Sequence, residues 1–293
     1  MRADLRHQVV LGLVGGVLFV TVLGLSVGGC VVVSSGVAGS MGMWDDRVKA
    51  TVTDSIDHVA GKPLWVETGN GEIEVVKSEG AQVRVTAELT AKDKVRLEGA
   101  KLSLVRDADG KLRVSVLWPD GKRKPYEGAG MRVEIPDVAS MELKTGNGRI
   151  RTANFSGALV AETSNGEIEV TDHDGTVKAD TSNGAILLRN VGNVVADTSN
   201  GAIEVSLRDD ATGPVKMDSS NGALSLTVGK AFVGTIKADT SNGGVLATCA
   251  RASKVTVKKT SAEIVYGSAT VEYGKGEESV LDTSNGTVTI NEH

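Results

Sequence analysis

From residue 141 onward the chain alternates. Val177-Lys178-Ala179-Asp180 and Ile236-Lys237-Ala238-Asp239 place an apolar residue at every second position, as do Ile168-Glu169-Val170 and Ile203-Glu204-Val205. Successive side chains of a strand point to opposite faces, so this period of two marks strands buried on one side. No segment here carries the 3.6-residue period of a helix. One tetrapeptide recurs between the strands. Its copies begin at Thr145, Thr163, Thr181, Thr198, Ser219, Thr240 and Thr283, with a degenerate copy at Thr260-Ser261-Ala262-Glu263 and an early outlier at Thr68-Gly69-Asn70-Gly71. From Thr145 the first positions are 18, 18, 17, 21, 21, 20 and 23 residues apart, a spacing that marks a solenoid or an array.

Each copy centres on a pair assigned as a structural turn: Asn147-Gly148, Asn165-Gly166, Asn183-Gly184, Asn200-Gly201, Asn221-Gly222, Asn242-Gly243 and Asn285-Gly286. Both residue types tolerate positive φ, which a tight reversal needs. A second turn closes the unit, as in Asp172-His173-Asp174-Gly175. Read as a meander, the units would form a wide barrel that Ala, Val and Ile are too small to fill. Stacked coils about 4.8 Å apart need only a narrow interior. The predicted fold is therefore all-β: a single-stranded β-helix, or solenoid, of about eight coils. Equivalent Asn and Thr side chains then lie above one another and can form hydrogen-bonded ladders.

The first half is less regular. Residues 61–88 read as three strands, and residues 90–101 as a short helical turn with Val95 and Leu97 inward. A hairpin runs from Lys101 to Trp118, an exposed basic loop covers 119–130, and a strand ends at Pro136. A solenoid needs its end covered, so residues 47–140 are assigned as a bulkier β-rich N-terminal cap and 141–293 as the repeat β-helix. Thr68 to Gly71 reads as an early coil, with 77–140 as an excursion from it.

Residues 1–29 read as a signal peptide or membrane anchor. Arg2 and Arg6 precede the uncharged run Val9 to Val33, which puts the remainder outside the cytoplasm. Val27-Gly28-Gly29-Cys30 resembles the bacterial lipobox, which implies cleavage before Cys30 and lipidation of its thiol. The run is also long enough to span a bilayer as an uncleaved helix. Residues 30–46 then form a flexible tether.

Composition narrows the function. Only three each of Trp, Tyr and Phe stand against 36 Gly, which suits a thin, repetitive core. A net charge of -5, with Lys122-Arg123-Lys124 as the one short basic cluster, argues against nucleic acid. Two Cys and four scattered His give neither a disulfide scaffold nor a Cys/His zinc cluster. The serines of the repeat have no accompanying histidine, so no catalytic, metal or cofactor residue is assigned. Cys249 reads as a small core residue, and Asp172 to Gly175 as a polar turn. The residues before the repeats are Lys144, Glu162, Asp180, Asp197, Asp218, Asp239, Lys259 and Asp282. Stacking would align five carboxylates from Glu162 to Asp239, either as a solvated stripe offset by Lys178, Lys216 and Lys237 or as a divalent-cation ladder.

Gly71-Glu72-Ile73-Glu74-Val75, Val133-Glu134-Ile135-Pro136 and the copies from Thr145 to Gly286 resemble the bacterial "putative adhesin" β-helix family, related to the head-GIN domain. The resemblance covers about residues 50–293 and implies an envelope-exposed β-helix with no catalytic residues to carry over. The expected function is non-enzymatic: a membrane-anchored cell-envelope protein presenting a repetitive surface for adhesion or binding of an envelope or extracellular ligand. The final strand, Thr287 to Ile290, is expected to leave an open edge for self-association. The rival readings are a polysaccharide-degrading β-helix enzyme, with Asp209-Asp210 or Glu277-Glu278 as acidic pairs, and an envelope-stress sensor or scaffold.

Overall fold

A computed structural model describes residues 9–14, 17–22, 47–260 and 266–293. The fold is all-β, with one short α-helix, Lys94–Gly99, among the described residues. Two large mixed sheets, of twelve and eleven strands, enclose one apolar core, and neither closes into a barrel.

Each repeat supplies one strand to each sheet. Ser140–Asn147 with Ile150–Ser156 is followed by Ala158–Thr163 with Ile168–Asp174, then Val177–Thr181 with Ile186–Val191. Val194–Thr198 with Ile203–Leu207 and Val215–Ser219 with Leu224–Val228 come next. Each such pair, or rung, lies parallel to its predecessor in both sheets, with Thr163 opposite Thr181 and Ile168 opposite Ile186. The early outlier joins the same stack: Leu64–Asn70 and Ile73–Lys77 pair parallel with the first two strands named above. Alternation turns every second residue inward, so Ala161, Ala179, Ile186, Leu188 and Val205 are buried. Each fully buried aliphatic side chain of Leu or Ile size contributes roughly 1.5–3 kcal/mol.

Polar repeat residues hold the rungs together. The buried Thr181 hydroxyl donates to the Gly166 carbonyl of the preceding rung (3.1 Å), as Thr163 does to Gly148 and Thr198 to Gly184 (both 3.1 Å). At the exposed corner each Asn side-chain amide donates to the Asn carbonyl oxygen below it. The ladder runs Asn147 to Asn70, Asn165 to Asn147, Asn183 to Asn165 and Asn200 to Asn183, at 2.5–3.0 Å.

The reason for the repeat glycines differs from the one inferred from turn chemistry. Gly148, Gly166, Gly184, Gly201, Gly222, Gly243 and Gly286 do not occupy the positive-φ region. Instead a Cβ on Gly184 would stand 1.8 Å from the Gly166 carbonyl oxygen, and one on Gly166 as close to that of Gly148. Backbones of successive rungs touch at this corner, and only hydrogen fits between them. Positive φ is used at the second turn, by Asn154, Asp172, Asn190, Gly157 and Gly175.

Three further expectations are corrected. The rungs do not follow chain order, because Glu278–Asn285 and Val288–Glu292 lie between the rung of 215–228 and strands Thr235–Asn242 and Val245–Ala247. The final strand is therefore no open edge: Val288 to Ile290 pairs with Leu224 to Leu226 on one side and Val245 to Ala247 on the other. The degenerate copy forms no rung either. Its Thr260 ends strand Lys254–Thr260, which runs antiparallel to Tyr266–Glu272, while Ser261 to Glu263 lie outside the described residues.

At the other end each sheet adds one more parallel strand, Gly128–Ile135 or Leu112–Leu117, and then continues antiparallel. Gly128–Ile135, Gln82–Ala91 and Val48–Asp57 extend one sheet, and the hairpin of Lys101–Arg106 with Leu112–Leu117 extends the other. The helix Lys94–Gly99, capped by the Asp93 carboxylate accepting from the Val95 N–H (2.8 Å), turns Leu97 inward but leaves Val95 75% exposed. Arg96 takes the inward place. It donates to both carboxylate oxygens of buried Glu127 (2.5 and 3.0 Å) and to the Pro119 and Lys122 carbonyls (3.1 and 2.7 Å). The segment 119–130, read as an exposed basic loop, is thus organised around a buried ion pair. Charge-assisted bonds to several acceptors satisfy the guanidinium there.

At the N-terminus Val9–Val14 and Val17–Val22 pair as an antiparallel ribbon rather than a helix. No helix among the described residues is long and apolar enough to cross a membrane. Cys30, the tether 30–46 and the rest of the segment 1–29 lie outside the described residues.

Candidate binding surface

The outward positions of the two sheets differ in their charge. On the eleven-stranded sheet Arg151 faces Glu74 on one neighbour and Glu169 on the other. Arg151 and Arg189 both reach Glu169, at 2.9 and 3.4 Å, and Arg208 reaches Asp174 at 2.7 Å. Arg132 pairs with Glu74. Further along the same row come Leu187, Glu204, Ser225 and Thr289. Most of the charges in this row are paired with opposite ones.

The twelve-stranded sheet differs. In register order its outward row reads Glu67, Lys144, Glu162, Asp180, Asp197, Asp218, Asp282 and Asp239. Six successive carboxylates follow Lys144, one more than chain order suggests, because the inserted rung places Asp282 between Asp218 and Asp239. Lys259 is not in the row. The antiparallel turn of the chain puts Ser268 and then Lys258 at that end instead. Lys144 closes the other end by pairing with Glu162 at 2.7 Å. Like charges one rung apart repel by about 0.9 kcal/mol in water. Burial, then the charges of Asp197 and Glu162, raise the Asp180 carboxyl above its ordinary value, and Lys178 offsets part of this.

The neighbouring row alternates: Val160, Lys178, Val195, Lys216, Val280 and Lys237. Val195, Pro214 and Val280 line a shallow open depression of roughly 300 Å³, bounded by Lys216 and Glu278. The face therefore offers a repeated acidic line beside a mixed basic and apolar one. The Thr row is not part of it. Thr163, Thr181 and Thr198 are buried.

Other candidate chemistry resolves into structure. No group of three or more His, Cys, Asp or Glu is placed to hold a metal among the described residues. His173 is not in an exposed polar turn: it is 1% exposed, and its ring meets the Gly157 carbonyl at 2.9 Å. It lies in a buried row between Phe155 and Val191. Cys249 is half-buried against the core, and burial pushes its thiol up. Hydrogen bonds from Lys230 and Arg208 hold Asp209 and Asp210 below the usual carboxylate range. Neither is poised as the proton donor a glycosidase needs. Glu278 pairs with Lys237 at 2.7 Å. The sequence reading missed the Arg96–Glu127 pair, since neither residue belongs to a motif.

By fold the molecule is an all-β protein of two mixed sheets. No family model and no curated protein matches the chain. Solved structures do. A "putative adhesin" from Bacteroides fragilis is 11% identical, covering 83% of this chain and 97% of the other with a TM-score of 0.42. A "putative cell adhesion protein" from Clostridium sporogenes is 12% identical, covering 82% and 99% with a TM-score of 0.33. A "putative lipid binding protein" from Parabacteroides distasonis is 13% identical, covering 83% and 96% with a TM-score of 0.34.

Proposed function

We propose that this chain is a non-enzymatic, exported envelope protein. In this reading it is a single-stranded β-helix of about eight coils, anchored by a lipid on Cys30 or by residues 1–29, that presents an adhesive face along its length. The observation that carries the reading is the contrast between the outer faces. The eleven-stranded sheet pairs most of its charges, whereas the twelve-stranded sheet aligns Glu162, Asp180, Asp197, Asp218, Asp282 and Asp239. Such a line weakens the fold through self-repulsion, which points to selection for contact rather than for stability. Weak contacts repeated at one-rung intervals add up through multivalency.

The test compares attachment to mucin-coated and collagen-coated wells. One set of cells bears the full chain; the other bears a chain with Asp180, Asp197 and Asp218 changed to Asn. Attachment with the first that drops several-fold with the second supports the reading. Equal attachment at equal surface amounts overturns it. Mass spectrometry of the mature N-terminus checks the anchor: a lipid-modified Cys30 is expected for lipidation, and an intact Met1 in the cytoplasmic fraction removes the envelope assignment.

A further inference from the structure

Strands Glu278–Asn285 and Val288–Glu292 fill a gap one rung wide. Its walls are the rung of 215–228 on one side, and Thr235–Asn242 with Val245–Ala247 on the other. All of the wall residues precede residue 278 in the chain. Unfilled, the gap presents four facing strand edges with unpaired backbone groups.

The gap is shaped for this segment. Asn285 donates to Asn221 (2.9 Å) and accepts from Asn242 (2.8 Å), completing the side-chain ladder. Thr283 donates to the Gly222 carbonyl (2.9 Å), and the buried Ser279 hydroxyl accepts from the Val215 N–H (3.0 Å). The Glu292 carboxylate accepts from the Ala250 and Arg251 N–H groups, both at 3.1 Å. The insert is joined to the strand before it by an exposed connection, Gly274 to Glu277.

We propose that this gap is a strand-exchange site that accepts residues 278–292 of a second copy of the chain. The contacts are identical whether the insert comes from the same chain or a neighbour, so only hinge strain and association entropy separate the two states. Reciprocal exchange closes a dimer, and successive exchange builds a chain of copies. Association thus works by insertion into the stack and does not depend on the adhesive reading.

The test uses full chains in which Cys30 and Cys249 are replaced by alanine. Asp218 and Asp282 face each other in register, about 4.8 Å apart at Cα, within reach of a disulfide. A chain carrying both Asp218→Cys and Asp282→Cys is expected to cross-link within itself on oxidation; failure to do so overturns the register on which the site rests. Chains carrying only Asp218→Cys are then mixed with chains carrying only Asp282→Cys, unfolded together and refolded. A covalent dimer that increases with concentration is expected. It should increase further when Lys275 and Gly276 are deleted, because a shortened hinge can no longer return the insert to its own chain. Dimer no more abundant than from Asp218→Cys mixed with Asp57→Cys, with or without the deletion, overturns the proposal.

Discussion

One methyl group separates two kinds of glycine in this chain. Gly184 has the carbonyl oxygen of Gly166 where its Cβ would stand, while a Cβ on Gly244 meets nothing within 4 Å. Gly184→Ala must push two rungs apart and is expected to lower stability by at least about 2 kcal/mol, as overpacking does. Gly244→Ala should stay within about 0.5 kcal/mol of the parent. Urea denaturation of both variants decides it, and equal midpoints would remove the close-contact explanation. His173 supplies a second residue-scale prediction. Burial holds its pKa below the ordinary 6.5, and its Nδ1 is buried without a partner. A depressed folded pKa means that the unfolded chain takes up the proton first. The stability contribution is therefore complete above about pH 6.5 and lost as pH falls below it. Melting followed from about pH 7 to 5 should show a decline that His173→Phe, matching Phe155 opposite it in register, makes shallower. An unchanged slope would exclude His173 as its source.

Strands in this protein are tied by two side-chain ladders in different surroundings. Thr181 is 1% exposed and satisfies a carbonyl of the neighbouring rung. Asn183 makes its ladder bonds at the exposed corner. Thr181→Val keeps the shape but leaves the half-buried Gly166 carbonyl without this partner, at about 1–2 kcal/mol, whereas water can replace the partners lost in Asn183→Ala, at about 1 kcal/mol or less. Calorimetry should rank them in that order; the reverse order would show the Asn ladder to be the stronger tie. Both ladders were legible from repeat spacing, because like residues at a constant interval must coincide once units stack. The short helix was legible as an element but not in its facing. Periodicity assigns the inward side to apolar residues, and here Arg96 goes inward because Glu127 and two carbonyls, all remote in sequence, receive it. Nothing local to residues 94–99 records that arrangement.

Across the whole molecule, charge is unevenly distributed between two otherwise similar sheets. Asp180 lies inside the carboxylate row, and its raised pKa means that its ionised form opposes folding. The penalty is absent in acid and grows as pH rises from about 3.8 through the higher folded value. Asp180→Asn should therefore raise the Tm slightly at neutral pH, with a gain that fades in acid and shrinks in salt. A lower Tm at low ionic strength would show that the row is locally compensated.

Strand content, the inward and outward sides of each strand, and the matching of like residues between units were determined by the sequence alone. Alternation and repeat length are local properties that no distant contact can reverse without burying charge. Which rung lies beside which was decided only by the tertiary structure. Near-identical units have near-identical edges, so the repeat itself cannot state that the unit of Thr283 stands between those of Ser219 and Thr240. That order follows from the reach of the connections and from non-repeating contacts such as Ser279 with Val215 and Glu292 with Ala250. The same insertion brings Asp282 into the acidic row and covers the final strand.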